Sequence, residues 1–232
     1  MAIDPADGRP WILLPGTLCS GRVFGAFLDG LAVPETARQP IIMRHPGVGD
    51  YMPELTSLCV PGAIICGFSL GAIVAAHLTD RLPADAYLLF GLNPQADRSD
   101  KRDGRLSLAR EVARIGGAKA MASRMPVLSG PGPSAARALI LDMADETAGH
   151  IEAQTELALK RPGALSALAR TQAPIGLFTG TQDTAAPLAS AEAATRAAPS
   201  ARLVPLHGLG HYALVEDPAA CCRAVKQVFT QF

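Results

Sequence analysis

A chain of 232 residues, 49% apolar and 18% charged, is long enough for one domain carrying a small insertion, and that composition excludes a disordered polymer. Its 21 basic and 21 acidic residues cancel, which argues against a general nucleic-acid binder, since those carry a basic excess. The five cysteines have neither zinc-ligand nor disulfide-scaffold spacing, so no metal or staple is expected.

The polar segment Met1–Pro10 lacks the basic and apolar regions of a secretory leader. No apolar run approaches the ~20 residues of a membrane helix. A cytoplasmic protein with no membrane partner is expected. Trp11–Leu14 then reads as a first strand and Phe24–Leu31 as a helix. Pro40–Met43 and Ala63–Cys66 read as strands, and Leu70–Leu82 as a helix with Leu70, Ile73, Val74, His77 and Leu78 at helical spacing. Ala86–Phe90 is the fourth strand. From Asn93 to about Arg170 no strand is predicted. Helices are expected at Leu106–Ser123, Ser134–Ala148, Ile151–Leu159 and Ala164–Ala169, punctuated by proline and glycine. The alternation resumes with strand Ile175–Thr179, helix Leu188–Ala198, strand Arg202–Leu206 and helix Pro218–Phe232, for which Asp217 is a fitting cap.

Most of these strands are continuous apolar runs, as in strands buried on both faces of a parallel sheet. The fold class is therefore α/β, with a mostly parallel sheet of about six strands flanked by helices. Residues 1–94 and 171–232 are expected to form the core, and 95–170 a helical cap.

Gly67–Phe68–Ser69–Leu70–Gly71 lies between a strand and a helix. A serine hydroxyl becomes an effective nucleophile when a tight strand-to-helix turn presents it, and flanking glycines let the backbone crowd there. The five-residue pattern alone is common; its setting makes Ser69 the candidate nucleophile. A base is then required. His77 lies mid-helix and His150 in the insertion, whereas His45 and His207 follow or end strands. His211 sits in the loop between the last strand and the last helix, at a carboxyl end where catalytic groups gather in open α/β sheets. It is the preferred base, with His207 second. Asp183 follows the fifth strand and completes the order Ser69, Asp183, His211. For a developing oxyanion, Leu70 N–H is one expected donor, and Thr17 N–H, with Leu18 next, the second.

These residues together resemble the α/β-hydrolase superfamily. Leu13–Leu14–Pro15–Gly16 resembles its oxyanion loop, Arg44–His45–Pro46–Gly47–Val48–Gly49–Asp50 its glycine-rich loop, and Gly67–Gly71 its nucleophile elbow. Gly180–Asp183 and Gly210–His211 resemble its acid and base loops, and Glu216–Asp217–Pro218 the start of its last helix. Within it the chain is most similar to small carboxylesterases such as pimeloyl-carrier-protein methyl ester esterases and 3-oxoadipate enol-lactonases. The chain departs in having Pro15-Gly16 for the usual His-Gly. It also has only about ten residues before Trp11, where the family has two strands, so a sheet shortened at one edge is expected.

The resemblance implies hydrolysis of a short or medium acyl ester through an acyl-enzyme, without a cofactor. A thioesterase or enol-lactonase on the same three residues, and a non-catalytic ligand-binding protein of the same fold, are the alternatives. Leu18, Phe68, Met121, Met125 and Met143 are the candidate substrate contacts. Between Asp97 and Arg124 the basic residues Arg98, Lys101, Arg102, Arg105, Arg110, Arg114, Lys119 and Arg124 exceed the acidic ones by four. Such a face could receive an acidic acyl carrier protein.

Overall fold

The computed structural model describes residues 3–232. In chain order, β1 (Trp11–Leu14) leads to the one-and-a-half-turn helix α1 (Gly25–Gly30), then β2 (Arg38–Pro40) and α2 (Met52–Leu58). β3 (Ile64–Phe68) enters α3 (Leu70–Leu78), and β4 (Ala86–Phe90) follows. A wholly helical stretch comes next: α4 (Arg102–Ile115), α5 (Gly117–Ala122), α6 (Pro133–Glu146), α7 (Ile151–Lys160) and α8 (Leu165–Arg170). β5 (Ile175–Gly180), α9 (Leu188–Ala197), β6 (Ala201–Leu206), α10 (Ala213–Glu216) and α11 (Pro218–Phe229) complete it.

All strand pairs are parallel, and the six-stranded sheet has the order β2-β1-β3-β4-β5-β6. Successive side chains of a strand point to opposite faces, and each face of this sheet has its own core. Trp11, Leu13, Cys66, Phe90 and Phe178 pack with α1, α11 and part of the helical stretch on one side. Ile12, Leu14, Ile65, Leu89 and Leu177 pack with α2, α3, α8 and α9 on the other. Burial on both faces is why these strands lack alternation in the sequence.

Several expected boundaries move, three of them with consequences for the packing or the site. The second strand is Arg38–Pro40 instead of Pro40–Met43. Only Ile41 continues the ladder, through its N–H to Leu13 O at 2.8 Å. Ile41 and Met43 are buried but Ile42 is not, so the apolar run there records a packed loop. The third strand runs through Gly67 to Phe68, placing the serine turn directly on a central strand. The expected helix Leu106–Ser123 starts earlier and breaks at Gly116, whose φ of +88° no helix continues.

The chain passes from β1 to β2 on one side and then to β3 on the other. Loops leaving β1 and β3 therefore diverge, opening a crevice at the carboxyl ends of the strands, the place where ligands bind in open α/β sheets. Among the described residues no helix is long and apolar enough to cross a membrane.

Candidate functional site

Ser69 stands at the end of β3, with φ +50° and ψ −112°. A β-carbon is rarely tolerated in such a conformation, which costs about 1–3 kcal/mol and persists only where the surroundings enforce it. Here Ser69 N–H donates to Phe90 O on β4 at 2.9 Å, and Ser69 O accepts from Ile73 N–H on α3 at 3.0 Å. The turn is tight because Gly71 lies against the β1 loop: a β-carbon there would sit 2.0 Å from Leu14 O. At Gly67 it would sit 2.6 Å from Ala72 Cα. Both glycines are therefore steric requirements of the turn that lifts the hydroxyl into the crevice.

His211 arrives from the loop after β6. Its Nε2 is 2.9 Å from Ser69 Oγ, and its Nδ1 is 2.7 Å from Asp183 Oδ2. For a neutral imidazole protonated at Nδ1, that N–H donates to Asp183 and Nε2 accepts from the serine hydroxyl. A proton can pass along this line from Ser69 to the ring. Asp183, 5% exposed, uses its other oxygen to accept from Ala185 N–H and Ala186 N–H, both at 2.8 Å. The carboxylate thus organises its own turn and aims the imidazole together. Phe68, buried, packs its ring on His211 with centroids 5.2 Å apart.

A buried carboxylate that sequence reasoning passed over fixes the base loop. Glu216 accepts from Gly210 N–H at 2.9 Å and Tyr212 N–H at 3.0 Å, the residues on either side of His211, and from Ser129 N–H at 3.0 Å. The signal available was its position just before the Asp217–Pro218 helix start, and nothing there marked it as buried.

Thr17 and Leu70 line the cavity at Ser69. Among the described residues neither backbone N–H has a hydrogen-bond partner. Leu18, the alternative donor, is committed elsewhere: its N–H donates to Gln154 Oε1 on α7 at 2.9 Å. Gln154 is buried, and its Nε2 donates to Met43 O at 3.1 Å. The loop after β1 is therefore tied to the helical stretch by one side chain. Beneath it Cys19, fully buried, has its thiol pushed up to about 12 by burial and stays protonated.

The cavity holds about 100 Å³ and is lined by Ser69, His211, Asn93, Arg105 and Arg161, with Ala185 and Ile73 closing it. The expected substrate contacts do not line it. Leu18 and Phe68 turn into the core, where Met121 and Met143 also pack. Met125 lines a separate hollow beside Val127 and Leu128. Apolar spacing in the helical stretch reports packing between its helices, not a lining. His207 is exposed and His77 meets Pro162 O at 2.9 Å, so neither competes with His211.

Two arginines take the place of those apolar contacts. Arg105, expected on a solvated basic face, turns inward and donates to both oxygens of Asp97 at 2.7 Å. Arg161 meets the same carboxylate at 3.0 Å, with side chains 2% and 5% exposed. Burial raises the Asp97 pKa, but the hydrogen bond and charge of Arg105 and the charge of Arg161 outweigh it and hold the group below its ordinary value. Burial lowers Arg161, offset only in part by Asp97. A larger hollow of about 440 Å³ lies between α4 and α7.

No protein-family model and no curated protein matches the chain in sequence. Solved structures match it over nearly its whole length. A thermophilic esterase from Thermogutta terrifontis, solved with malate bound, superposes with a TM-score of 0.84 at 19% identity, covering 100% of this chain and 93% of that one. The chain has the α/β-hydrolase fold. The enol-lactonase from Burkholderia xenovorans shares that fold with a TM-score of 0.78 at 19% identity, over 96% of this chain and 92% of that one. An esterase from Exiguobacterium antarcticum gives 0.78 at 14% identity, over 97% and 93%. Among the described residues β2 stands at one edge of the sheet and β6 at the other.

Proposed function

We propose that the protein is a serine hydrolase acting on a carboxylic ester with a short acyl group. The observation that carries this reading is the unbroken line from Ser69 Oγ through His211 to Asp183, opening on a cavity flanked by the free N–H groups of Thr17 and Leu70. In the first half-reaction the Ser69 oxygen bonds to the ester carbon while its proton moves to His211 Nε2. The carbonyl electron pair shifts onto oxygen, facing the two amides. Collapse of this adduct breaks the bond to the alcohol, which leaves with the proton from Nε2, and an acyl-enzyme remains. Water then repeats the sequence, giving the acid and free Ser69.

Asp183 holds the ring in the tautomer that can accept the proton and balances its charge when it has done so. A cavity of about 100 Å³ suits a small ester or lactone and is well below the ~300 Å³ at which drug-sized pockets begin. Structural neighbours that include esterases and an enol-lactonase agree with this class. The test is labelling by a fluorophosphonate probe with a nitrophenyl acetate assay alongside. Labelling at Ser69 that disappears in His211→Ala, with a burst of nitrophenol before steady turnover, is expected. Ester turnover undiminished in Ser69→Ala would refute the assignment, and a folded, unlabelled protein would favour a binder without chemistry.

A further inference from the structure

Resting on that reading, we propose that Arg161 and Arg105 form an anion subsite within the catalytic cavity, and that the preferred substrate is a small ester or lactone bearing a carboxylate a few bonds from the scissile carbonyl.

The first argument is charge. The cavity at Ser69 is lined by two guanidinium groups and no carboxylate. Asp97 stands behind them, and a single carboxylate faces both arginines. Asp183, the other carboxylate near the serine, is taken up by His211 Nδ1 and the Ala185 and Ala186 amides and makes no bond to either guanidinium group. A buried cation is costly unless it is paired, so an anion bound between the two arginines is favoured. A clamp serving only to hold Asp97 would need just one arginine, since Arg105 already donates to both its oxygens.

The second argument is the set of donors. Arg161 is 5% exposed as a residue. Its Nη1 donates to Ala158 O at 2.7 Å and its Nε to Gln95 O at 3.4 Å. Its Nη2 donates to nothing among the described residues, yet it is not among the buried side-chain atoms sealed without a partner. It keeps some accessible surface, and the cavity at Ser69 is a hollow that Arg161 lines. Asn93 adds an amide there: its Oδ1 accepts from Gln95 N–H at 3.1 Å, which leaves Nδ2 free to donate. A planar guanidinium beside an amide matches the two oxygens of a carboxylate.

The third argument is reach. Arg105, Arg161 and Asn93 line the same small cavity as Ser69 and His211, so an anion held by them lies within one short ligand of the serine hydroxyl.

Monomethyl succinate and dimethyl succinate form the probe pair, sharing a backbone and differing in one negative charge at pH 7. For turnover by the wild-type protein, kcat/KM at least tenfold higher for the monoester is expected, falling toward parity in Arg161→Gln and in Arg105→Gln. Equal turnover of the two esters by the wild type overturns the subsite while leaving the hydrolase reading in place, and this outcome needs no variant to fold. Calorimetric binding to Ser69→Ala supplies the readout independent of chemistry. Binding of the monoester at least tenfold tighter than the diester, lost in Ser69→Ala/Arg105→Gln, supports the subsite even if no ester is cleaved, in which case only the hydrolase reading falls. A charge preference retained in both arginine variants overturns the proposal.

Discussion

Replacing Glu216 by glutamine removes one acceptor while preserving shape. In the native site Oε2 accepts from Ser129 N–H and Gly210 N–H, and Oε1 from Tyr212 N–H. The glutamine carbonyl can serve the first pair, which turns its NH₂ toward Tyr212 N–H and leaves that donor unpaired. Hydrogen bonds to a charged group contribute about 1.5–3 kcal/mol each, so at least that much stability is expected to be lost. For a chain of this size 1 kcal/mol moves Tm by about 2–4 °C, giving a fall of roughly 3–12 °C. Tyr212 adjoins His211, so the imidazole loses its anchor on one side, and a 1 Å displacement of a catalytic group costs on the order of 10²-fold in rate. Urea unfolding and nitrophenyl acetate turnover, the latter measured where both proteins are folded, read the two effects separately. A glutamine variant within about 0.5 kcal/mol of wild type and equally active would refute the reasoning, because surface substitutions already reach that range.

Gly91 has φ +58°, and a β-carbon on it would lie 3.1 Å from His211 Cε1, so Gly91→Ala should lower kcat by about 10–100-fold with the protein still folded by circular dichroism. Gln154→Ala leaves Leu18 N–H and Met43 O without partners; a stability loss of about 2–4 kcal/mol in denaturant and a drop of about tenfold in kcat are expected as the loop carrying Thr17 loosens. Asp97 has a folded pKa below its ordinary 3.8, so its contribution is complete above that value and is lost as pH falls through the depressed one. Wild type should thus be more stable than Asp97→Asn near neutrality, with a gap that narrows as pH falls below 3.8, as followed by urea midpoints across that range.

The parts of the site that could be read in the sequence are those whose signals are local. Ser69 announces itself through two glycines and a strand-to-helix junction, because the steric demands of the turn fall on adjacent residues. Asp183 and His211 are found by position, since a parallel sheet delivers every strand's carboxyl end to one rim. Arg161 carries no such signal: its partner Asp97 is 64 positions away, and a lone arginine before Pro162–Gly163 resembles any helix end. The same holds for Gln154, which serves Leu18 and Met43 from the far end of the chain's helical stretch. The methionines misled for the opposite reason. Apolar periodicity states that a side chain leaves water, and it does not distinguish a pocket wall from the contact between two helices.

The stitch made by Gln154 bears on how the crevice is covered. Raising α7 would break the bonds to Leu18 N–H and Met43 O, which together resist that motion by about 1–3 kcal/mol. Redesigning α7 around Gln154 therefore reaches the loop that carries Thr17 in the cavity wall, so that the roof and the rim beside the serine are mechanically joined.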